Sequence, residues 1–182
     1  MSLKPPSGWS RTVFLAALLA SPSWAQVGTL ATIPGKIVDL APESSTSFLF
    51  VTHEGIVGRV TTAGFPTIIA DPSSGPFTTA LRGVSTTPSG DIAVLDIDGN
   101  IYRLPAGWPP AVQVYADLYM INDPTDFMVD AAGNYIVTSS TPTSFVRAIN
   151  WISPDGARWA YYLVKHTPVA ITTDPLTGDL LI

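Results

Sequence analysis

Side chains that could act in acid–base or metal chemistry are few in this sequence. It contains two histidines, fourteen acidic residues and no cysteine. Carboxylates that converge on one point suit a hard divalent cation such as Ca²⁺ or Mg²⁺, and a nearby histidine could transfer a proton. The candidates for binding a ligand or a metal all fall in short segments between apolar runs: His53, Glu54, Asp71, Asp96, Asp98, Asp117, Asp123 and His166.

A second interpretation of these aspartates is structural, because aspartate is favoured in turns, where it hydrogen-bonds its own backbone. The segment Asp96-Ile97-Asp98-Gly99-Asn100 resembles part of a calcium-binding loop, but the rest of the ligand run and the flanking helices are missing. A tight turn between two strands explains the same residues more simply. The turn is therefore the preferred interpretation, and a shared metal site is the alternative.

Several other chemistries find no support in the sequence. The absence of cysteine excludes disulfides, thiolate metal sites and a cysteine nucleophile. There is no Gly-x-Ser-x-Gly nucleophile elbow and no phosphate-binding glycine loop. A net charge of −5 without any basic run argues against nucleic acid as a partner. No apolar stretch is long enough to predict a membrane span.

The elements that position these residues follow from an internal repeat. Four segments each combine apolar alternation, a polar turn and a second alternating run: 36–51, 82–96, 125–139 and 169–182. Aligned on Ser47, Gly90, Gly133 and Gly178, they recur at spacings of 43, 43 and 45 residues. A fixed period in this range, built from short strands and Gly- and Pro-containing turns, predicts β-propeller blades.

Each unit is predicted to form four strands, a to d from the central channel outwards. In the second unit these are 83–86, 91–95, 100–104 and 112–116, and the third strand of the first unit is expected at 57–61. Strand a is expected to line the channel with small or branched side chains, Val84 among them. A parallel sheet would need crossover helices for which there is no room, and an immunoglobulin-like sandwich does not explain the fixed period.

Residues 83–104 carry a specific pattern, Gly-Val-x-x-x-x-x-Gly-Asp-Ile-x-Val followed by Asp-Gly-Asn-Ile-Tyr-Arg-Leu. It resembles the NHL-type propeller repeat, which is related to streptogramin lyases and the gluconolactonase-like group. Residues 126–138 and 169–182 match less closely, and Ser47 replaces the turn glycine in the first unit. The resemblance implies architecture rather than activity, because such repeats serve binding proteins and enzymes alike.

The functional expectation is a binding or scaffold module for a protein, peptide or glycan. The alternative is a metal-dependent lyase or lactone hydrolase at the channel mouth, because the b–c and d–a connections share one face and carry the candidate residues. Streptogramin lyases use a histidine and a divalent metal, but neither histidine here lies in a matched motif, so no catalytic residue is assigned. The aromatic residues Trp151, Trp159, Tyr161 and Tyr162 are expected to pack, with a carbohydrate platform as the alternative.

The N-terminus is predicted to be a secretory signal. Lys4 and Arg11 precede an apolar run at 13–20. The segment Ser-Trp-Ala ends at Ala25, and we expect cleavage after this residue. The expected location is therefore secreted or periplasmic. Removing the two basic residues leaves seven against fourteen acidic ones in the mature chain.

The predicted organisation is a signal peptide at 1–25 and a partial propeller at 26–182. Its blade units lie near 36–79, 80–122, 123–167 and 168–182, the last of them incomplete. Propellers close with four to eight blades, so we expect a longer natural product of about six or seven blades. A ring closed by two half-rings is the alternative. Residues 27–33 are expected to be a closing strand.

Overall fold

The computed structural model describes residues 12–14, 29–73, 77, 80–106, 112–115, 121, 123–140, 147–157, 159–174, 176–177 and 179–182. In these residues no helix has the length and apolar character needed to cross a membrane. Their regular elements are β-strands: β1 (Thr12–Phe14), β2 (Thr29–Thr32), β3 (Ile37–Ser44), β4 (Ser47–Thr52), β5 (Val57–Thr61), β6 (Pro66–Ala70), β7 (Leu81–Thr86), β8 (Ile92–Asp96), β9 (Ile101–Leu104), β10 (Val112–Tyr115), β11 (Pro124–Val129), β12 (Tyr135–Ser140), β13 (Arg147–Ile152), β14 (Trp159–Leu163), β15 (Thr172–Thr173) and β16 (Leu180–Leu181).

The strands form three four-stranded antiparallel sheets in chain order. We call them blade 1 (β3 to β6), blade 2 (β7 to β10) and blade 3 (β11 to β14); β15 and β16 form a separate two-stranded sheet. Short turns join sequential strands, as antiparallel neighbours allow. The all-β prediction and the four-strand unit are confirmed, and the third predicted strand of the first unit, 57–61, coincides with β5.

The blades meet along their first strands, since β3 packs against β7 and β7 against β11. This arrangement around a common centre confirms the propeller prediction. Side chains on one strand alternate between the two faces of its sheet. On β8, Val94 therefore packs against blade 1 and Leu95 against blade 3, both fully buried.

One expectation about the inner strands is wrong. Val84 on β7 does not line the channel but is only 1% exposed in the core between blades 1 and 2. Its side chain belongs to the apolar set of an inter-blade contact.

The chain at the end of β2 lies against blade 1. β2 pairs antiparallel with β1, and Ala31 and Ile33 pack on Phe50 and Val60. Ala31 and Ile33, which belong to the segment expected to be a closing strand, thus cover the face of blade 1 that is turned away from blade 2. β1 lies within the segment predicted to be removed on export, and that cleavage stays a prediction.

Candidate functional site

Asp96, one of the site residues predicted from the sequence, is buried in a turn. It ends β8 and is 1% exposed. Its Oδ1 accepts hydrogen bonds from the backbone N–H groups of Asp98 at 3.0 Å and Asn100 at 2.8 Å. Its Oδ2 accepts from Asn100 Nδ2 at 2.8 Å and from the Tyr102 hydroxyl at 3.2 Å. Burial and the adjacent Asp96 carboxylate raise the pKa of Tyr102 to about 12.

The same arrangement recurs at 130–134, in the turn between the first two strands of blade 3. Asp130 Oδ1 accepts from the N–H groups of Ala132 at 2.9 Å and Asn134 at 2.8 Å. Its Oδ2 accepts from Asn134 Nδ2 at 2.8 Å. Asp96 follows the second strand of its blade and Asp130 follows the first strand of its blade, so the two turns lie at opposite ends of the blades. Asp-x-x-Gly-Asn therefore forms a turn in both places. The geometry supports the turn interpretation of 96–100.

Two further loop carboxylates also accept hydrogen bonds from within the fold. Glu54 accepts a hydrogen bond from the backbone N–H of Lys36 at 2.9 Å. Asp71 accepts from the N–H and the hydroxyl of Ser73 at 2.8 and 2.6 Å. Asp71 thus stabilises its own turn, whereas Glu54 joins the β4–β5 connection to the residue that precedes β3.

Asp123 forms an ion pair with Arg82, the two side-chain atoms lying 3.3 Å apart. His53, Asp98 and His166 are exposed, and Asp117 lies outside the described residues. Within the part of the chain that the structure describes, no three histidine, aspartate or glutamate side chains are grouped so that they could hold a metal ion.

Two carboxylates on the innermost strands, Asp39 on β3 and Asp126 on β11, lie outside the candidate set. Asp39 Oδ1 accepts from the N–H of Leu40 at 2.7 Å, and its Oδ2 accepts from Val84 in the next blade at 2.8 Å. Asp126 repeats this with Phe127 at 2.8 Å and with Ile171, beyond blade 3, at 2.6 Å. Each carboxylate therefore links two inner strands.

Blade 2 has no carboxylate at this position and uses a serine hydroxyl instead. Gly83 stands at the position of Asp39 and Asp126, and a Cβ there would lie 2.5 Å from Cβ of Phe127. The hydroxyl of Ser85, two residues further on, accepts from the N–H of Val129 at 3.2 Å. The inner edge of a sheet has N–H groups without a strand partner, and side chains of the preceding blade satisfy them here. We call these contacts the inner-strand bridges.

The electrostatics of the inner-strand bridges differ from those at the periphery. Burial raises the pKa of Asp39, and the charge of Asp126 acts in the same direction, while the hydrogen bonds from Val84 and Leu40 oppose it. At the rim of blade 1, the hydrogen bond from Arg59 lowers the pKa of Glu43.

These opposite directions predict opposite pH dependences. A raised folded-state pKa means that the stability contributed by Asp39 is complete below its unfolded pKa and is lost as the pH rises. The contribution of Glu43 is present above its unfolded pKa and is lost as the pH falls. From about pH 3 to pH 6, wild type should lose stability relative to Asp39→Asn and gain it relative to Glu43→Gln. Urea unfolding across this range measures both differences, and slopes of the same sign would contradict the assignment.

Comparisons with known proteins show the fold and nothing finer. No protein-family model matches the chain. No match is found among curated protein sequences. Among solved structures it resembles regucalcin, a calcium-binding protein from Agrobacterium tumefaciens, with a TM-score of 0.63 and 16% identity over 81% of this chain and 54% of that one.

Two other solved structures resemble it to a similar degree. A gluconolactonase from Xanthomonas campestris has a TM-score of 0.62 and 14% identity, covering 86% of this chain and 58% of that one. YCF48 bound to a D1 peptide has a TM-score of 0.59 and 12% identity, covering 80% and 47%. The chain thus spans about half the length of the structures it matches.

Proposed function

We propose that this protein is an exported β-propeller that binds a protein, peptide or glycan and performs no catalysis at its loops. The observation that carries this proposal is the use of the loop carboxylates. Asp96 spends both oxygens on its own turn, and Asp123 is paired with Arg82. A catalytic site needs groups that converge on a substrate. Asp96 instead binds its own turn, and Asp123 binds an arginine of the neighbouring blade.

The similarity to a peptide-binding structure supports a protein or peptide as the ligand. YCF48 was solved with a D1 peptide, and a propeller of this type offers the same kinds of surface: loops at the channel mouth and outer strand edges. Fold similarity alone does not transfer a function. The peptide is therefore proposed on the surface chemistry of this chain.

A second candidate function is a metal-dependent lyase or lactone hydrolase. It is favoured by one observation, the carboxylates of Asp39 and Asp126 at the propeller centre. Carboxylate oxygens are good ligands for Ca²⁺ and Mg²⁺. Each of these carboxylates, however, already accepts two backbone hydrogen bonds, which limits the lone pairs that remain for a cation. The non-catalytic proposal is therefore preferred.

Export is proposed on the charged, apolar and small-residue segments that end at Ala25. Mass spectrometry of protein recovered from the periplasm or the medium should give a chain that begins at Gln26. An N-terminus that retains residues 1–20 would contradict export by a cleaved signal.

Peptide and glycan arrays probed with the full chain test the proposed binding function. We expect saturable binding to a defined class of ligand, confirmed in solution by calorimetry. If both arrays stay blank while a lactone is turned over in the presence of a divalent cation, the enzymatic candidate replaces this proposal.

A further inference from the structure

The outer edge of blade 3, formed by β14, differs from the outer edges of the other two blades. β14 pairs with β13 through five consecutive residue pairs without a register shift. The pairings of β6 with β5 and of β10 with β9 each contain a shift, and β6 begins with Pro66, which has no N–H. Bulges and proline are devices by which proteins block strand addition at an edge. Blade 3 carries neither at this edge.

The hydrogen-bonding groups of β14 are oriented for an additional strand. The N–H of Val164 donates to the carbonyl of Arg147 at 2.9 Å, so it points towards β13. Because N–H groups alternate in direction along a strand, the N–H of Leu163 points away from the sheet. Outside the strand pairings, no backbone carbonyl of the described residues accepts a hydrogen bond from it.

Large side chains flank this open edge. Tyr161, Tyr162 and Leu163 are 53%, 60% and 66% exposed, whereas Trp151 on the neighbouring strand is half-buried. The sequence predicts that all of these aromatic residues pack, but Tyr161 and Tyr162 are largely exposed. Adjacent residues of a strand project to opposite faces, so Tyr161 and Tyr162 do not form one platform for a sugar ring. They would instead contact a peptide strand from both sides of the sheet.

Positive charge gathers at the end of the same edge. The described arginines of blades 1 and 2 each face a carboxylate, in the pairs Arg59–Glu43, Arg82–Asp123 and Arg103–Asp91. Arg147 instead donates to the backbone carbonyl of Lys165 at 2.9 Å. Neither residue has a carboxylate within ion-pair distance in the described part of the chain. His166 follows directly and is exposed.

We propose that the outer edge of β14 binds an extended acidic peptide of a partner protein, which adds to blade 3 as a fifth strand. Backbone hydrogen bonds to the edge supply affinity and side-chain contacts supply specificity in this mode of recognition. Acidic residues at one end of the peptide lie beside Arg147 and Lys165. This inference rests on the proposed binding function and names its surface and the chemistry of its partner.

A fluorescein-labelled peptide, Glu-Glu-Val-Thr-Ile-Tyr-Val-Thr, and its counterpart with two lysines in place of the glutamates are the probes. A third probe has the glutamates at the other end and identifies strand direction. With the full chain, fluorescence anisotropy should show saturable binding of one acidic probe. Binding should weaken with added salt, and the lysine probe should bind at least about tenfold more weakly.

Two substitutions at one position separate backbone from side-chain effects. Leu163→Pro removes an outward N–H without removing a hydrogen bond inside the sheet, and Leu163→Ala is its matched control. We expect Leu163→Pro to weaken the acidic probe about tenfold more than Leu163→Ala does. Circular dichroism and the melting temperature check that both variants fold. The double variant Arg147→Gln, Lys165→Gln, which leaves the edge backbone unchanged, should remove the preference for the acidic probe.

Equal binding by Leu163→Pro and Leu163→Ala, or no binding of either acidic probe, would overturn this inference. If array ligands still bind in that case, the proposed function stands and its surface lies elsewhere. Binding of an oligosaccharide that is lost in Tyr162→Ala but retained in Leu163→Pro would replace the peptide by a glycan. Blank arrays together with a metal-dependent activity would remove the proposed function as well.

Discussion

Replacing Asp96 with alanine should destabilise the protein by about 3 kcal/mol, because several polar groups lose their partner at once. The carboxylate is buried and accepts from the N–H groups of Asp98 and Asn100, from the Asn100 side chain and from the Tyr102 hydroxyl. Water cannot reach all of these donors in the variant. Urea unfolding in the presence of EDTA measures the change without any contribution from bound cations.

Asp98→Ala is the matched control, since Asp98 belongs to the same turn but is exposed. It should change the free energy of unfolding by no more than about 0.5 kcal/mol. An Asp96→Ala variant as stable as Asp98→Ala would show that the turn does not depend on this carboxylate. The structural interpretation of the whole 96–100 segment would then be wrong.

Gly156→Ala should cost about 3 kcal/mol for a different reason. Gly156 has φ +71°, a conformation that costs other residues about 1–2 kcal/mol. A Cβ at this position would also lie 2.2 Å from the carbonyl oxygen of Val114 on β10. Since that oxygen belongs to the backbone, blade 2 and blade 3 would have to separate locally to accept the methyl group.

Gly90→Ala isolates the part of this effect that comes from backbone conformation. Gly90 has φ +84°, and an added Cβ would meet nothing within 4 Å. Its substitution should cost about 1 kcal/mol. Differential scanning calorimetry of the two variants gives the comparison, and similar melting temperatures would contradict the close contact between the blades.

The sequence was sufficient to predict the blades because their signals are local. Alternating apolar residues and turn glycines determine each strand, so the expected 57–61 and the observed β5 agree. The faces of the strands follow from the same alternation. The expectation that Val84 lines the channel is wrong because the boundary between the channel and an inter-blade core depends on how neighbouring sheets are placed. No single repeat encodes that placement.

The site was less predictable for a related reason. Asp39 and Asp126 act on N–H groups of the next blade, and their importance appears only when successive inner strands stand side by side. Asp39 and Asp126 occupy equivalent positions two repeats apart. That equivalence is a sequence signal for a shared role on the inner strands. The recurrence of Asp-x-x-Gly-Asn at 96–100 and 130–134 was another, because one motif at opposite ends of two blades indicates a turn.

Metal titration of the full chain shows whether its carboxylates serve the fold or a catalytic metal centre. After treatment with EDTA, the melting temperature is followed as Ca²⁺, Mg²⁺ or Mn²⁺ is added. A cation that binds the folded state must raise the melting temperature in a saturable way. We expect no saturable rise with any of the three. A rise of more than about 4 °C that disappears in Asp39→Asn or Asp126→Asn would contradict it and establish a metal site at the propeller centre.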